Sequence, residues 1–452
     1  MRAKAGAPPR TMVQKILAGR SRDPENLGDV VDAKIDHVVV AREPEKVFAE
    51  LQKIGKGPAQ VEVAVAYDGA CVNPAATFPA EELSARGVLV ARAGAGYPSA
   101  VHLERFASPA RLCVTDDPRL ASVGGIGMLA LLVSPQLVAK ALGQGTITLK
   151  VPRSIQILLT GRLRPFVGAR DVSLELLRRG IAATVARIEK QRGAPVVLEF
   201  AGPSVRALSV AERAVVASIA PLCGAASALF LSDERTEVFL RDERRSKAHR
   251  ALAPDPGAPC DEVLSIDLGA VDPLVLDETG AVRSARDLAG HKVTQVVLGG
   301  DTGVTLRDFF AVAALLKAKR VPSHLDFLLA IPSRQILEVL ASSGALSDLI
   351  AAGARLVEPD ARVIEGSIYA PSDLSTSVRT HDPWSPASKK ASRHIVASAE
   401  TIAQTVASGV MGDPRVFRRP VRLALPRELP TDDVLIARAI PEKKTSTKKS
   451  SD

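Results

Sequence analysis

Apolar and polar positions along the chain follow two alternating rhythms. Short β-branched runs predict strands at residues 61–66, 87–90, 110–114, 154–160 and 196–200, and again at 262–268, 293–298 and 327–331. Helical spacing falls between them. An apolar stretch from Met128 to Leu142 follows Gly124-Gly125-Ile126-Gly127 and reads as a helix. Asp171 reads as the N-cap of a helix with Leu174, Leu177 and Ile181 on one face. Ser209, with Glu212 three residues on, forms a capping box for a helix over 209–220. Residues 305–319 set Leu306, Phe309, Phe310 and Ala313 inward, and 335–342 form another helix ending near Gly344. Strands and helices in this alternation predict α/β layers with mostly parallel sheets.

The pattern divides into a basic segment 1–20, an α/β region 21–285, a second α/β region 286–417 and a basic extended tail 418–452 whose end is expected to be disordered. Residues 253–259 are rich in proline and read as a surface connector, and no repeat of solenoid period is present. Aromatics make up only 3% of the chain, so the core must be aliphatic.

A net charge of +9 raises the question of a nucleic-acid partner. Its distribution argues against one. Arg2, Lys4, Arg10, Lys15 and Arg20 face no acid in the first twenty residues, and Lys443, Lys444, Lys448 and Lys449 outnumber Glu442 and Asp452 at the end. The body is close to balanced, with both signs interleaved, as in Arg241-Asp242-Glu243-Arg244-Arg245. That reads as a solvated surface between two flexible tails, not as a basic stripe for phosphates. No run of about 20 apolar residues predicts a membrane span. Four scattered cysteines exclude a disulfide scaffold. With no signal-peptide pattern, the expected compartment is the cytoplasm.

A series of short motifs narrows the fold. Lys150-Val151-Pro152-Arg153-Ser154-Ile155, running on to Gly161, is followed by Glu199-Phe200-Ala201-Gly202-Pro203, Ser232-Asp233-Glu234-Arg235-Thr236 and Ser265-Ile266-Asp267-Leu268. Ile331-Pro332-Ser333-Arg334-Gln335 and Ser375-Thr376-Ser377-Val378-Arg379 complete it. In order and spacing this series resembles the aconitase superfamily, in particular the large subunit of 3-isopropylmalate dehydratase and homoaconitase, over roughly residues 10–415. The resemblance implies a three-layer α/β/α fold. It also implies hydro-lyase chemistry on hydroxy acids, with a [4Fe-4S] cluster held by three cysteines.

The cluster positions of the family fall on Asp301, Arg362 and Glu365, none of them a thiolate. Cys71, Cys113, Cys223 and Cys260 stand elsewhere. The family's acid–base motifs retain Asp68 and Asp117 but lose their histidines, with Arg119 at one of those positions. Asp68 and Asp117 are therefore the candidate catalytic residues, with Asp301 a further candidate base. The matching motifs make Arg379, Ser377, Ser333 and Arg334 the candidate substrate-binding residues, Arg379 as a carboxylate fork or as half of a structural ion pair. No replacement metal site is expected, since no two histidines share helical ligand spacing and Asp301 with Asp308 is a weak pair. Gly124-Gly125-Ile126-Gly127 lacks the spacing of a phosphate loop.

The family's swivelling small domain exceeds the stretch left after Pro414, so its serine is expected from a partner subunit or not at all. The sequence thus predicts a divergent homologue with no cofactor, binding a small carboxylate or a small subunit, with nucleic acid disfavoured and no membrane partner. The alternative is an active hydro-lyase or isomerase on a hydroxy di- or tricarboxylic acid, working with a separate small subunit.

Overall fold

The computed structural model describes residues 8–71, 77–371, 376–381, 394–426, 428–431 and 434–437. It is a mixed α/β protein built on mostly parallel sheets. The first large sheet has six strands, in the order Ile436–Ala437, Leu89–Ala91, Val63–Tyr67, His37–Val40, Leu112–Thr115 and Leu129–Leu132. All are parallel except the C-terminal strand, which adds antiparallel to Leu89–Ala91. A parallel four-stranded sheet follows, ordered Ser227–Phe230, Val196–Ala201, Arg153–Thr160, Glu262–Asp267. The third sheet has seven strands, from Val282–Ser284 and Leu274–Leu276 through His394–Ala397, Ser377–Arg379, Gln295–Gly299 and Asp326–Ala330 to Arg355–Val357. Its last five strands are parallel. Strands such as Val38-Val39-Val40 and Leu328-Leu329-Ala330 are buried along their whole length, as parallel strands covered on both faces must be. The core is aliphatic, with Phe200 and Phe230 stacked at 4.3 Å as a rare aromatic pair.

Three expectations change. The basic N-terminal segment is not a solvated arm where it is described. Met12–Ala18 is a helix with Met12, Val13, Ile16 and Leu17 buried, and the Glu199 carboxylate accepts the backbone N–H groups of Met12 and Val13 at 2.9 and 3.1 Å. The apolar stretch 128–142 is not one helix. It splits into strand Leu129–Leu132 and helix Pro135–Gln144, because Pro135 fits only the first turn. Asp171 is not an N-cap but sits at the third helical position of Ala169–Arg178, its carboxylate taking the N–H groups of Gly168 and Leu274.

Strands Leu274–Leu276 and Val282–Ser284 lie in the same sheet as those after residue 286. No single helix among the described residues is long and apolar enough to cross a membrane. The described part of 418–437 runs as an extended strap that ends in the strand beside Leu89–Ala91. No swivel domain is indicated among the described residues.

Candidate functional site

Parallel sheets place their loops, and hence their chemistry, at the carboxyl ends of the strands. Here those ends of the six- and seven-stranded sheets face each other. Arg42 follows His37–Val40, Asp68 follows Val63–Tyr67, and Asp116-Asp117 follow Leu112–Thr115. From the other side, Asp301 follows Gln295–Gly299, and helix Ala361–Glu365 follows Arg355–Val357.

Two arginines span the crevice. Arg119 makes a two-pronged pair with Asp301, Nη2 to Oδ1 at 2.6 Å and Nε to Oδ2, and both side chains are buried. Arg42 donates Nε to Asp117 at 3.3 Å and Nη1 to Glu365 at 3.1 Å. Asp117 also caps the turn that carries Arg119, accepting its backbone N–H at 3.1 Å. The neighbouring Asp116 accepts three backbone N–H groups, from Ala41, Arg42 and Glu43, and so fixes the loop that presents Arg42. Burial pushes its carboxyl up to about 6 against the pull of those bonds. Tyr97 completes the junction, its hydroxyl donating to the Asp360 carbonyl and accepting the Asp360 N–H, both at 3.2 Å. We call this set of cross-sheet pairs the clasp.

The loop that aims Asp301 depends on glycine. Gly300 has φ +97°, and the His381 ring packs where a Cβ would stand, with Cγ 2.6 Å from that point. His381 Nδ1 lies 3.0 Å from the Gly299 carbonyl.

The sequence-predicted residues are only partly brought together. Asp117, Asp301 and Glu365 converge on the clasp. Arg362 does not: it is exposed and folded back on Asp360. Asp68 is half-buried at the end of its strand. Arg379 is buried, and Ser377 Oγ, the Val363 carbonyl and Gln295 Oε1 accept its bonds at 3.0, 3.3 and 3.3 Å. These partners are neutral, so the expected ion pair is not seen among the described residues. Burial draws the guanidinium down to about 10. Ser377 donates to Gln295 at 2.7 Å. Ser333 caps helix Arg334–Ser342 and donates to Glu104 at 2.8 Å, while Arg334 is exposed. Asp308 does not join Asp301 but accepts from the N–H and hydroxyl of Thr305 at its own helix start. The segment from Asp382 through Trp384, and Ser375, lie outside the described residues. Arg42, Asp116 and Tyr97 were missed in the sequence, although the doublet Asp116-Asp117 at a strand end signals a loop anchor.

The donor set at the three cluster positions is two carboxylates tied to guanidinium groups and one exposed arginine. An iron–sulfur cluster needs thiolates, so these residues do not fit one. Cys113, in the strand Leu112–Thr115, and Cys223, at the end of the 3-10 turn Ala220–Cys223, are buried, and their thiols are pushed up by burial.

The comparisons with known proteins agree with the fold. The aconitase (aconitate hydratase) family model matches residues 77–285. The chain is 25% identical over 426 residues to 3-isopropylmalate dehydratase large subunit 2 of Archaeoglobus fulgidus, covering 90% of this chain and 99% of that one. It is 27% identical over 442 residues to 3-isopropylmalate dehydratase large subunit 1 of Deinococcus radiodurans, covering 93% and 94%. It is 26% identical over 385 residues to the homoaconitase large subunit of Thermus thermophilus, covering 81% and 88%. Over residues 77–285 the chain is similar to the aconitase family. Within that family it is similar to the large subunits of 3-isopropylmalate dehydratase and homoaconitase.

Titratable groups away from the clasp set a pH dependence. His37 Nδ1 and His102 Nε2 are 3.2 Å apart in the core. Burial draws His37 down to about 3 and holds His102 well below the usual imidazole range. Glu104 and Asp171 are pushed up to about 8, and Asp308 to about 7, each chiefly by burial. The unfolded chain protonates the histidines below pH ~6.5, so their contribution is lost as pH falls from there. The unfolded chain ionises the carboxyls above pH ~4, so theirs is lost as pH rises through the folded values. The expected result is a Tm that falls between about pH 6.5 and 8, measured by calorimetry, since only the carboxyls titrate there. A Tm that rises over that interval would contradict the assignment.

Proposed function

We propose that the chain is a divergent relative of these large subunits that carries no [4Fe-4S] cluster and performs no classical hydratase chemistry. Its crevice serves instead as a binding element, for a small carboxylate or for a separate small subunit. The observation that carries this reading is the clasp. Asp301 and Glu365, at two cluster positions, are engaged by Arg119 and Arg42, and Arg362 at the third is no ligand. The relatives bear the name "large subunit", which supports a small-subunit partner at the same face.

Anaerobic reconstitution with iron and sulfide tests the proposal. The expected result is no stoichiometric [4Fe-4S] chromophore. Formation of one cluster per chain would overturn it, as would dehydration of 3-isopropylmalate by the chain with a swivel-type small subunit. Such turnover, if abolished by Asp117→Asn, would establish the alternative hydro-lyase reading.

A further inference from the structure

Behind the clasp, and sharing Asp301 with it, lies a cavity of about 270 Å³. Leu103, Val215, Val304, Ile336 and Val339 give it aliphatic walls, and Leu425 of the C-terminal strap adds another. Glu104, Asp242 and Glu243 add carboxyls to Asp301 in its lining. Glu104 is buried; Ser333 Oγ donates to its Oε1 at 2.8 Å, and no ion pair reaches it among the described residues. Glu243 accepts one amide bond from Gln335 at 2.8 Å and has Arg105 at 3.5 Å. Ser122 lines the same space with a buried hydroxyl that has no hydrogen-bond partner. A buried carboxyl met by a single hydroxyl, as Glu104 is, is costly to ionise unless a cation or further donors meet it.

The positive groups on the wall are already engaged. Arg307 lies 3.7 Å from both Asp308 and Glu400. Arg235 donates Nε to the Arg206 carbonyl. The helix starts at Ser209 and Thr305 are closed by their own capping boxes with Glu212 and Asp308.

We propose that this cavity binds a small aliphatic amine, its ammonium held by Glu104 and Glu243 and its hydrocarbon body against the aliphatic walls. The site is independent of the clasp reading, since it needs neither the presence nor the absence of a cluster. Burial, and next the nearness of Glu243, push the Glu104 carboxyl up to about 8, with the Ser333 hydroxyl, Arg105 and Arg245 acting in the opposite sense. An alkylammonium, with a pKa near lysine's value of about 10, supplies the charge that lets Glu104 ionise.

The experiment is calorimetric titration of the full-length chain with isoamylamine, against its isosteres isovalerate and isoamyl alcohol. The amine is expected to saturate with a Kd of about 1 mM or tighter, and both isosteres to bind at least about tenfold more weakly. Glu104→Gln should weaken the amine about tenfold while keeping the native far-UV spectrum. Val339→Phe, which fills the cavity with an apolar ring, should abolish binding. If Glu104→Gln fails to fold, the isostere comparison and Val339→Phe still decide. Equal binding of isovalerate or of the alcohol, no binding of the amine at about ten times that concentration, or full affinity in either folded variant would overturn the proposal.

Discussion

Asp301→Ala is expected to lower the free energy of unfolding by about 3–5 kcal/mol, because it removes the two-pronged carboxylate partner of the buried Arg119 guanidinium. The Arg119 side chain is only 4% exposed, so water cannot replace the lost carboxylate. The Arg119 bond to Thr302 Oγ1, at 3.4 Å, is long and carries no charge. The double variant Arg119→Met, Asp301→Leu removes both charges and is expected to recover most of the loss, since well-packed apolar pairs often match buried ion pairs. Urea denaturation of the two variants and the parent measures this directly. A loss below about 1 kcal/mol for Asp301→Ala would place the pair in the surface class and dissolve the clasp as a structural element. The same logic governs any attempt to restore a cluster ligand. Asp301→Cys offers a thiolate but removes the Asp301 carboxylate that engages Arg119, so the cost falls on the fold before any iron can bind.

Legibility in the sequence depends on range. Local signals were legible. The β-branched runs at 154–160 and 196–200 became strands Arg153–Thr160 and Val196–Ala201, and the Ser209 and Glu212 capping box opens Val210–Ala217. Misreadings came where one local signal masked another. Five basic residues hid the buried stripe Met12, Val13, Ile16 and Leu17, although its spacing is helical. The apolar content of 128–142 outweighed Pro135, which marks the true helix start.

The site was legible only in part, for a physical reason. Asp117 and Asp301 stood at family positions and could be named. Their partners could not be inferred, because Arg42 and Asp117 are 75 residues apart and Arg119 and Asp301 182. Nothing in local pattern pairs a given arginine with a carboxylate across two sheets. The pairing follows from which strand ends face each other, and that is a property of the assembled sheets. The Ser333 bond to Glu104, 229 residues away, escaped for the same reason, and with it the lining of the cavity.

Gly124→Ala is expected to cost more than about 4 kcal/mol and to fail to accumulate as folded protein. A Cβ at Gly124 would run into the Ala228 carbonyl, with its carbon at 2.7 Å, and one at Gly125 would meet the backbone of Ala214, with its Cα at 2.7 Å. Both obstacles are backbone: the strand Ser227–Phe230 on one side and the helix Val210–Ala217 on the other. Neither can rotate away as a side chain would, so the strain exceeds ordinary overpacking of about 1–3 kcal/mol. The nearby Ser122→Ala, which deletes a hydroxyl with no partner, is expected to be neutral within about 0.5 kcal/mol and serves as the control. This experiment also separates two roles for the glycine run. A phosphate-cradling loop would tolerate Gly124→Ala in the fold and lose ligand affinity instead. A run that lets two elements touch backbone to backbone would lose the fold itself. Expression and urea denaturation of Gly124→Ala distinguish them, and a stable variant within about 1 kcal/mol of the parent would return the glycine run to the list of candidate ligand loops.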